Sequence, residues 1–152
     1  MWLSLRKIHR YKEITMTNYL EDQLCFLLYV SSKEIIRKYT ALLKPYELTY
    51  TGFITMMAIE EEEQLTVKEL GSRIYLDSGT MTPLLKKLEE KGYIQRQRSK
   101  QDERQMNVSL TDVGREIRHQ LPCISEQIAL ETEISPAQFE QIKGILKGFL
   151  NN

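Results

Sequence analysis

Chemistry in this chain of 152 residues has few places to start, and the first is a thiol. Cys25 lies in "QLCFLLYVSSKEIIRKYTALLKPYELTY", an apolar stretch that also carries the phenols of Tyr29, Tyr39 and Tyr50. A thiolate is a nucleophile that peroxides oxidise. A phenol O–H donating to sulfur favours that charged form. The same residues also read as packing: a cysteine in an apolar helix is commonly a small core residue, and a tyrosine commonly spans an interface. A sensor and a core both stay open on these residues alone. The second cysteine, Cys123, is 98 positions away and forms no CxxC, and His9 and His119 are isolated. No metal site and no cofactor is expected.

The second place is a run of small polar residues, Asp77, Ser78, Gly79, Thr80 and Thr82, at a predicted helix start. Small hydroxyls let a backbone come close to phosphates and base edges, and a helix N-terminus adds N–H donors. The cations Lys86, Lys87, Lys91, Arg96, Arg98, Lys100 and Arg104 follow, opposed by Glu89, Glu90, Asp102 and Glu103. That leaves +3 over 19 residues of a chain whose net charge is zero. Any nucleic-acid binding must therefore come from this local patch. Asp77, Ser78, Thr80, Thr82, Lys86, Lys87, Arg96, Arg98, Asp102 and Arg104 are the candidate DNA contacts. The competing reading is a solvated face on a protein-interaction module.

Elements must position both groups. An Asn18/Glu21 start pair opens a helix predicted to run to about Lys44, apolar on two neighbouring rows and so packed on more than one neighbour. Pro45 ends it, and Thr49 caps the next helix, about Tyr50 to Glu61, with Leu48 and Phe53 as a staple. Glu60 to Glu63 read as its solvated end. Thr66 and Glu69 form a capping box with a Leu65/Leu70 staple ahead of a short helix weakened by Gly71. Asp77 caps a helix that buries Leu84, Leu85 and Leu88 and stops at Gly92 in the left-handed conformation. The period then changes to two: Ile94, Arg96 and Arg98 share a face, as do Met106, Val108 and Leu110, giving a two-stranded hairpin with a charged tip. Thr111 starts a helix interrupted at Pro122, and Ser135, Pro136 and Gln138 start the last one.

Short helix, turn, helix, charged hairpin is the order of a winged helix-turn-helix. The expected fold is mainly α with a two-stranded β wing. Apolar residues at 41 % and charged residues at 28 % suit one globular domain. No apolar run approaches the ~18 residues of a membrane span. Residues 1–17 are expected to form a flexible tail, and a reducing, cytoplasmic setting is expected.

The stretch "LTVKELGSRIYLDSGTMTPLLKKLEEKGYIQRQRSKQDERQMNVSLTDVGREI" resembles the DNA-binding core of the MarR family of transcription regulators, a likeness that extends over residues 18–150. It implies one domain with dimerisation helices 18–45 and 111–150 and a winged helix-turn-helix at about 50–110. The Asp102-Glu103-Arg104 triplet resembles the family's wing signature, which places the arginine in the minor groove while the aspartate holds the wing. The family implies a homodimer on an inverted repeat of double-stranded DNA, acting as a repressor rather than an enzyme.

"DQLCFLLYVSSKEI" is similar to the OhrR branch, which senses organic hydroperoxides. That resemblance makes Cys25 the reactive thiol and Tyr39 and Tyr50 its hydrogen-bond partners, with Tyr29, Phe26 and Leu24 in the pocket. Helix geometry adds a constraint. Residues 25 and 39 face nearly the same side but stand about 21 Å apart along the axis, so a Tyr39 that touches a Cys25 touches that of another chain. A thiol of ordinary pKa, about 8.5, is roughly 7 % thiolate at neutral pH, so full ionisation gains only about tenfold in rate. The remaining acceleration falls to the apolar pocket and to groups that stabilise the leaving oxygen. The sulfenic acid is expected to condense with a low-molecular-weight thiol, leaving Cys123 structural. Release by a phenolic ligand and turnover as a thiol peroxidase are the alternatives.

Overall fold

The computed structural model describes residues 19–99 and 104–150. The expected tail, the Asn18 cap and the wing-tip Asp102 lie outside them. The chain divides into two units, residues 1–37 and 38–152, each taken by itself.

In the first unit, Leu20–Asp22 form a single 3-10 turn. Gln23 then adopts an extended backbone (φ −80°, ψ 123°), so the long helix α1 starts at Leu24 rather than near Asn18. It runs Leu24–Leu43 and crosses the division. Every side chain of residues 19–37 is exposed except the half-buried Phe26. Leu24, Leu27, Leu28, Val30, Ile35 and Ile36 therefore face water in the single chain.

In the second unit, Lys44–Tyr46 form a 3-10 turn with Pro45 inside it, and Glu47 closes it in the left-handed region (φ 51°). Helix α2 (Tyr50–Ala58) is capped by Thr49, whose Oγ1 accepts from the Gly52 N–H at 3.1 Å. It stops before the glutamates, which lie in the following turn. Strand β1 (Leu65–Thr66) leads into α3 (Val67–Arg73), whose capping box between Thr66 and Glu69 is complete. Gly71 does not end this helix. It is buried, and a Cβ there would meet the Leu76 carbonyl oxygen at 2.8 Å, so its lack of a side chain lets the next turn close on α3.

Helix α4 (Ser78–Glu90) starts at Asp77 and buries Met81, Leu85 and Leu88, with Leu84 half-buried. Gly92, at φ 72°, follows it. Strands β2 (Ile94–Arg98) and β3 (Met106–Leu110) pair antiparallel, with Ile94 opposite Leu110, Arg96 opposite Val108 and Arg98 opposite Met106. The sheet has a third member. β1 pairs with β3, giving the order β1-β3-β2 and tying the wing's root to the start of α3. A two-residue strand is too short to show a period, so the expectation of two strands missed it.

Helix α5 (Asp112–Gln120) is capped by Thr111, and α6 (Pro122–Glu131) begins with Pro122 in its first turn. The last helix, α7 (Pro136–Leu150), opens on reciprocal bonds between Ser135 and Gln138 and has no buried residue. The core gathers Leu43, Leu48, Phe53, Met56, Ile59, Leu70, Met81, Leu85, Leu88, Ile94, Val108, Leu110 and Leu121. It supports α3, α4 and the wing from behind. The molecule is mainly helical with a winged-helix arrangement.

Candidate nucleic-acid interface

The exposed start of α4 is built by one carboxylate. Asp77 accepts from the Thr80 N–H at 3.0 Å through one oxygen and from the Thr80 hydroxyl at 2.8 Å through the other. These bonds hold the Asp77 carboxyl below the usual carboxylate range. The cap thus stays ionised at neutral pH. Thr82 donates to the Ser78 carbonyl at 2.9 Å, and Ser78, Gly79, Thr80 and Thr82 are all exposed. An open groove of about 1200 Å³ runs along this helix end, bordered by Lys68, Ser72, Tyr75, Asp77, Ser78, Thr82 and, from the wing side, Arg96 and Arg104. Tyr75 was not singled out from sequence. It sits in the turn before α4 at φ 56° with 73 % of its surface exposed. A tyrosine in a conformation that favours glycine was the signal, but only coordinates reveal a φ.

The cations divide. Lys86 and Lys87 are exposed on α4, Lys86 lying 3.8 Å from Glu90. Arg98 and Arg104 are exposed on the hairpin. Arg96 lines the groove as well, but is only half-exposed. It shares its face with the core residues Ile94, Val108 and Leu110, and its guanidinium is spent on Glu89. Asp102 lies outside the described residues.

The cysteine and tyrosines fall in different surroundings. Cys25 is exposed, with Sγ 3.9 Å from Gln23 Oε1. Leu24 and Tyr29 are exposed as well, and Lys33 Nζ sits 5.2 Å from the Tyr29 ring centre. Tyr39 and Tyr50 do come together. Their ring centres are 5.1 Å apart, edge to face, and both pack on Phe53. The Tyr39 hydroxyl donates to Ser125 Oγ at 3.1 Å, a partner 86 positions away that no local pattern announces. Burial pushes the Tyr50 phenol above its ordinary value, and the neighbouring Tyr39 adds to this. Tyr50 therefore keeps its proton as a donor.

Residues 37–121 match the family described as Transcriptional regulator SarA/Rot. The chain belongs to the SarA/Rot family of transcriptional regulators. The HTH-type transcriptional regulator SarZ of Staphylococcus haemolyticus is 52 % identical over 135 residues, 89 % of this chain and 92 % of that protein. The crystal structure of overoxidized AbfR bound to DNA is 31 % identical, covers 87 % of this chain and 93 % of its own, and superposes with a TM-score of 0.68. The structure of reduced AbfR bound to DNA is 32 % identical, with 86 % and 96 % coverage and a TM-score of 0.65. A MarR variant from E. coli complexed with operator DNA, 23 % identical, has a TM-score of 0.76 over 92 % of this chain and 97 % of its own, a likeness of fold. SarA/Rot membership and a MarR-type fold thus replace the plain MarR label. The function is regulatory, not enzymatic, which removes the thiol peroxidase alternative. Among the described residues, no helix is long and apolar enough to cross a membrane.

Proposed function

We propose that this SarA/Rot-family regulator is a repressor that binds an inverted repeat of double-stranded DNA as a homodimer and is released when an organic peroxide oxidises Cys25. The observation that carries the DNA reading is the groove in which the exposed, Asp77-capped start of α4 and Arg104 of the wing border one open surface. A helix N-terminus with Ser78, Thr80 and Thr82 exposed suits phosphates and base edges. Lys86, Lys87 and Arg98 add the cations that draw in a polyanion. AbfR, described in reduced and overoxidized forms on DNA, supports a redox reading for a chain about one-third identical to it.

In the proposed switch, the Cys25 thiolate attacks the outer peroxide oxygen. An S–O bond forms, the O–O bond breaks, and the alkoxide leaves and takes a proton to become an alcohol. The resulting sulfenic acid condenses with a low-molecular-weight thiol to a disulfide, losing water. Tyr39 and Tyr50 of the second copy are the phenols that favour the thiolate, Tyr29, Phe26 and Leu24 form the apolar approach, and Cys123 is structural. The added bulk disturbs the seam between copies and changes the spacing of the two α4 helices.

The test is binding of an inverted-repeat duplex before and after cumene hydroperoxide with a small thiol, for the parent and Cys25→Ser. The parent is expected to lose about tenfold or more in affinity and Cys25→Ser to lose none. Equal release of both proteins overturns the cysteine's role. An affinity that does not fall steeply with salt overturns the DNA reading itself.

A further inference from the structure

Arg96 lines the groove, but its guanidinium is held there by Glu89. In β2 the alternation points Ile94, Arg96 and Arg98 to one side. Ile94 is 1 % exposed, and Val108, opposite Arg96 on β3, is fully buried. Arg96 thus occupies a position where the pattern calls for an apolar side chain. Its Nε and Nη2 donate to Glu89 Oε2 at 3.0 and 2.5 Å, and its backbone N–H donates to Glu89 Oε1 at 3.2 Å. One carboxylate on the last turn of α4 therefore holds both the side chain and the main chain of the first wing strand. Glu89 stands at the helix end where the macrodipole disfavours an anion. Its arginine partner offsets this and holds its carboxyl below the usual carboxylate range.

We propose that Glu89 and Arg96 form a strut that sets the angle between the wing and α4, so that Arg96 serves DNA binding as a positioning residue through Glu89 and not as a phosphate contact. This rests on the reading that α4 and the wing together hold DNA. The two elements meet different parts of the duplex, and a hairpin anchored at one end tilts easily. A planar fork on a carboxylate resists tilting in a way that a point charge does not.

The two roles of Arg96 predict opposite signs. A duplex selected by the parent protein from a randomised library serves as probe, and affinity is measured across a salt series. For a strut, Glu89→Gln and Arg96→Gln each weaken binding about tenfold, and the double variant is no weaker than either alone. The slope of affinity against salt stays that of the parent. For a phosphate contact, Glu89→Gln frees Arg96 in both copies, so binding tightens and the slope steepens by about 1.8. Arg96→Lys settles the matter if a glutamine variant fails to fold. Lysine keeps the charge but loses the fork, so a strut weakens as much as in Arg96→Gln while a phosphate contact survives. Tighter binding by Glu89→Gln, parental binding by Arg96→Lys, or a slope reduced by about 1.8 in Arg96→Gln overturns the proposal. A parent that selects no duplex overturns the DNA reading on which the strut rests, whereas a parent that binds with variants unchanged overturns the strut alone.

Discussion

Gly114 joins the wing's root to the helix that follows it. A Cβ at that position would lie 1.8 Å from the Tyr93 carbonyl oxygen and 2.8 Å from its carbon, both backbone atoms. The same carbonyl accepts from the Thr111 N–H at 3.1 Å, and the Thr111 hydroxyl donates to the Gly92 carbonyl. The start of α5 is therefore pinned to the turn between α4 and β2, and the fit depends on the absence of one methyl group. Gly114→Ala is expected to destabilise the fold by about 3 kcal/mol or more, because the backbone on both sides must shift. Urea unfolding followed by circular dichroism checks this, and a loss under about 1 kcal/mol would show that the contact relaxes cheaply. Nothing in "LTDVG" announces such a constraint. The Thr111 cap can be read there because it needs only residues a few positions away. The Tyr93 carbonyl is 21 positions earlier in the chain, and so invisible to any local pattern. Tyr39 and Ser125 repeat the point, and Arg96 sharpens it. Its inward face was visible in the alternation, but an arginine among basic neighbours reads as a surface cation until its partner on α4 is located.

Elements were legible where their boundaries are local chemistry. Thr49, Thr66, Asp77 and Thr111 each accept a backbone N–H at the helix start they were expected to cap. β1 and the early stop of α2 were not, since one is set by pairing with β3 and the other by tertiary contacts such as the Arg73 Nη1 bond to the Ala58 carbonyl at 2.7 Å. Two caps carry a pH dependence of definite sign. Glu69 is held below its ordinary value chiefly by the Thr66 backbone N–H and then the Thr66 hydroxyl, and Asp77 by the Thr80 backbone N–H and then its hydroxyl. A carboxyl depressed in the folded state contributes stability that is full above its unfolded value, about 4, and is lost as pH falls through the folded one. Thermal melts from pH 7 down to pH 2 test this with Asp77→Asn. Asparagine caps nearly as well but does not titrate. The variant should melt near the parent at pH 7 and lose less below about pH 4. Parallel curves would mean that the cap does not titrate with folding.

At the scale of the whole molecule, the unexplained quantity is apolar surface. In α7, Phe139, Ile142, Ile145, Leu146, Phe149 and Leu150 are all exposed, with Ile145 at 64 % and Phe149 at 56 %. In the 19–37 unit the same holds for Leu24, Leu27, Leu28, Ile35 and Ile36. A monomer rarely leaves contiguous faces of this kind to water. A second copy is the proposed occupant, and the Cys25 reading also requires one, since Tyr39 of the same helix stands too far along the axis to serve its own thiol. A two-fold seam is self-complementary, so a charge placed in it meets its own copy or lies desolvated beside it. Ile145→Glu with Phe149→Glu should therefore shift a dimeric parent to monomer in sedimentation velocity. The core of residues 43–124 should be unaffected, because α7 contributes nothing to it. The monomer would hold one half-site where the dimer holds two, so its affinity for an inverted repeat should fall while its affinity for a single half-site stays that of one parental α4 and wing. A parent that already sediments as a monomer at micromolar concentration would remove both the seam and the phenols that Cys25 is proposed to meet.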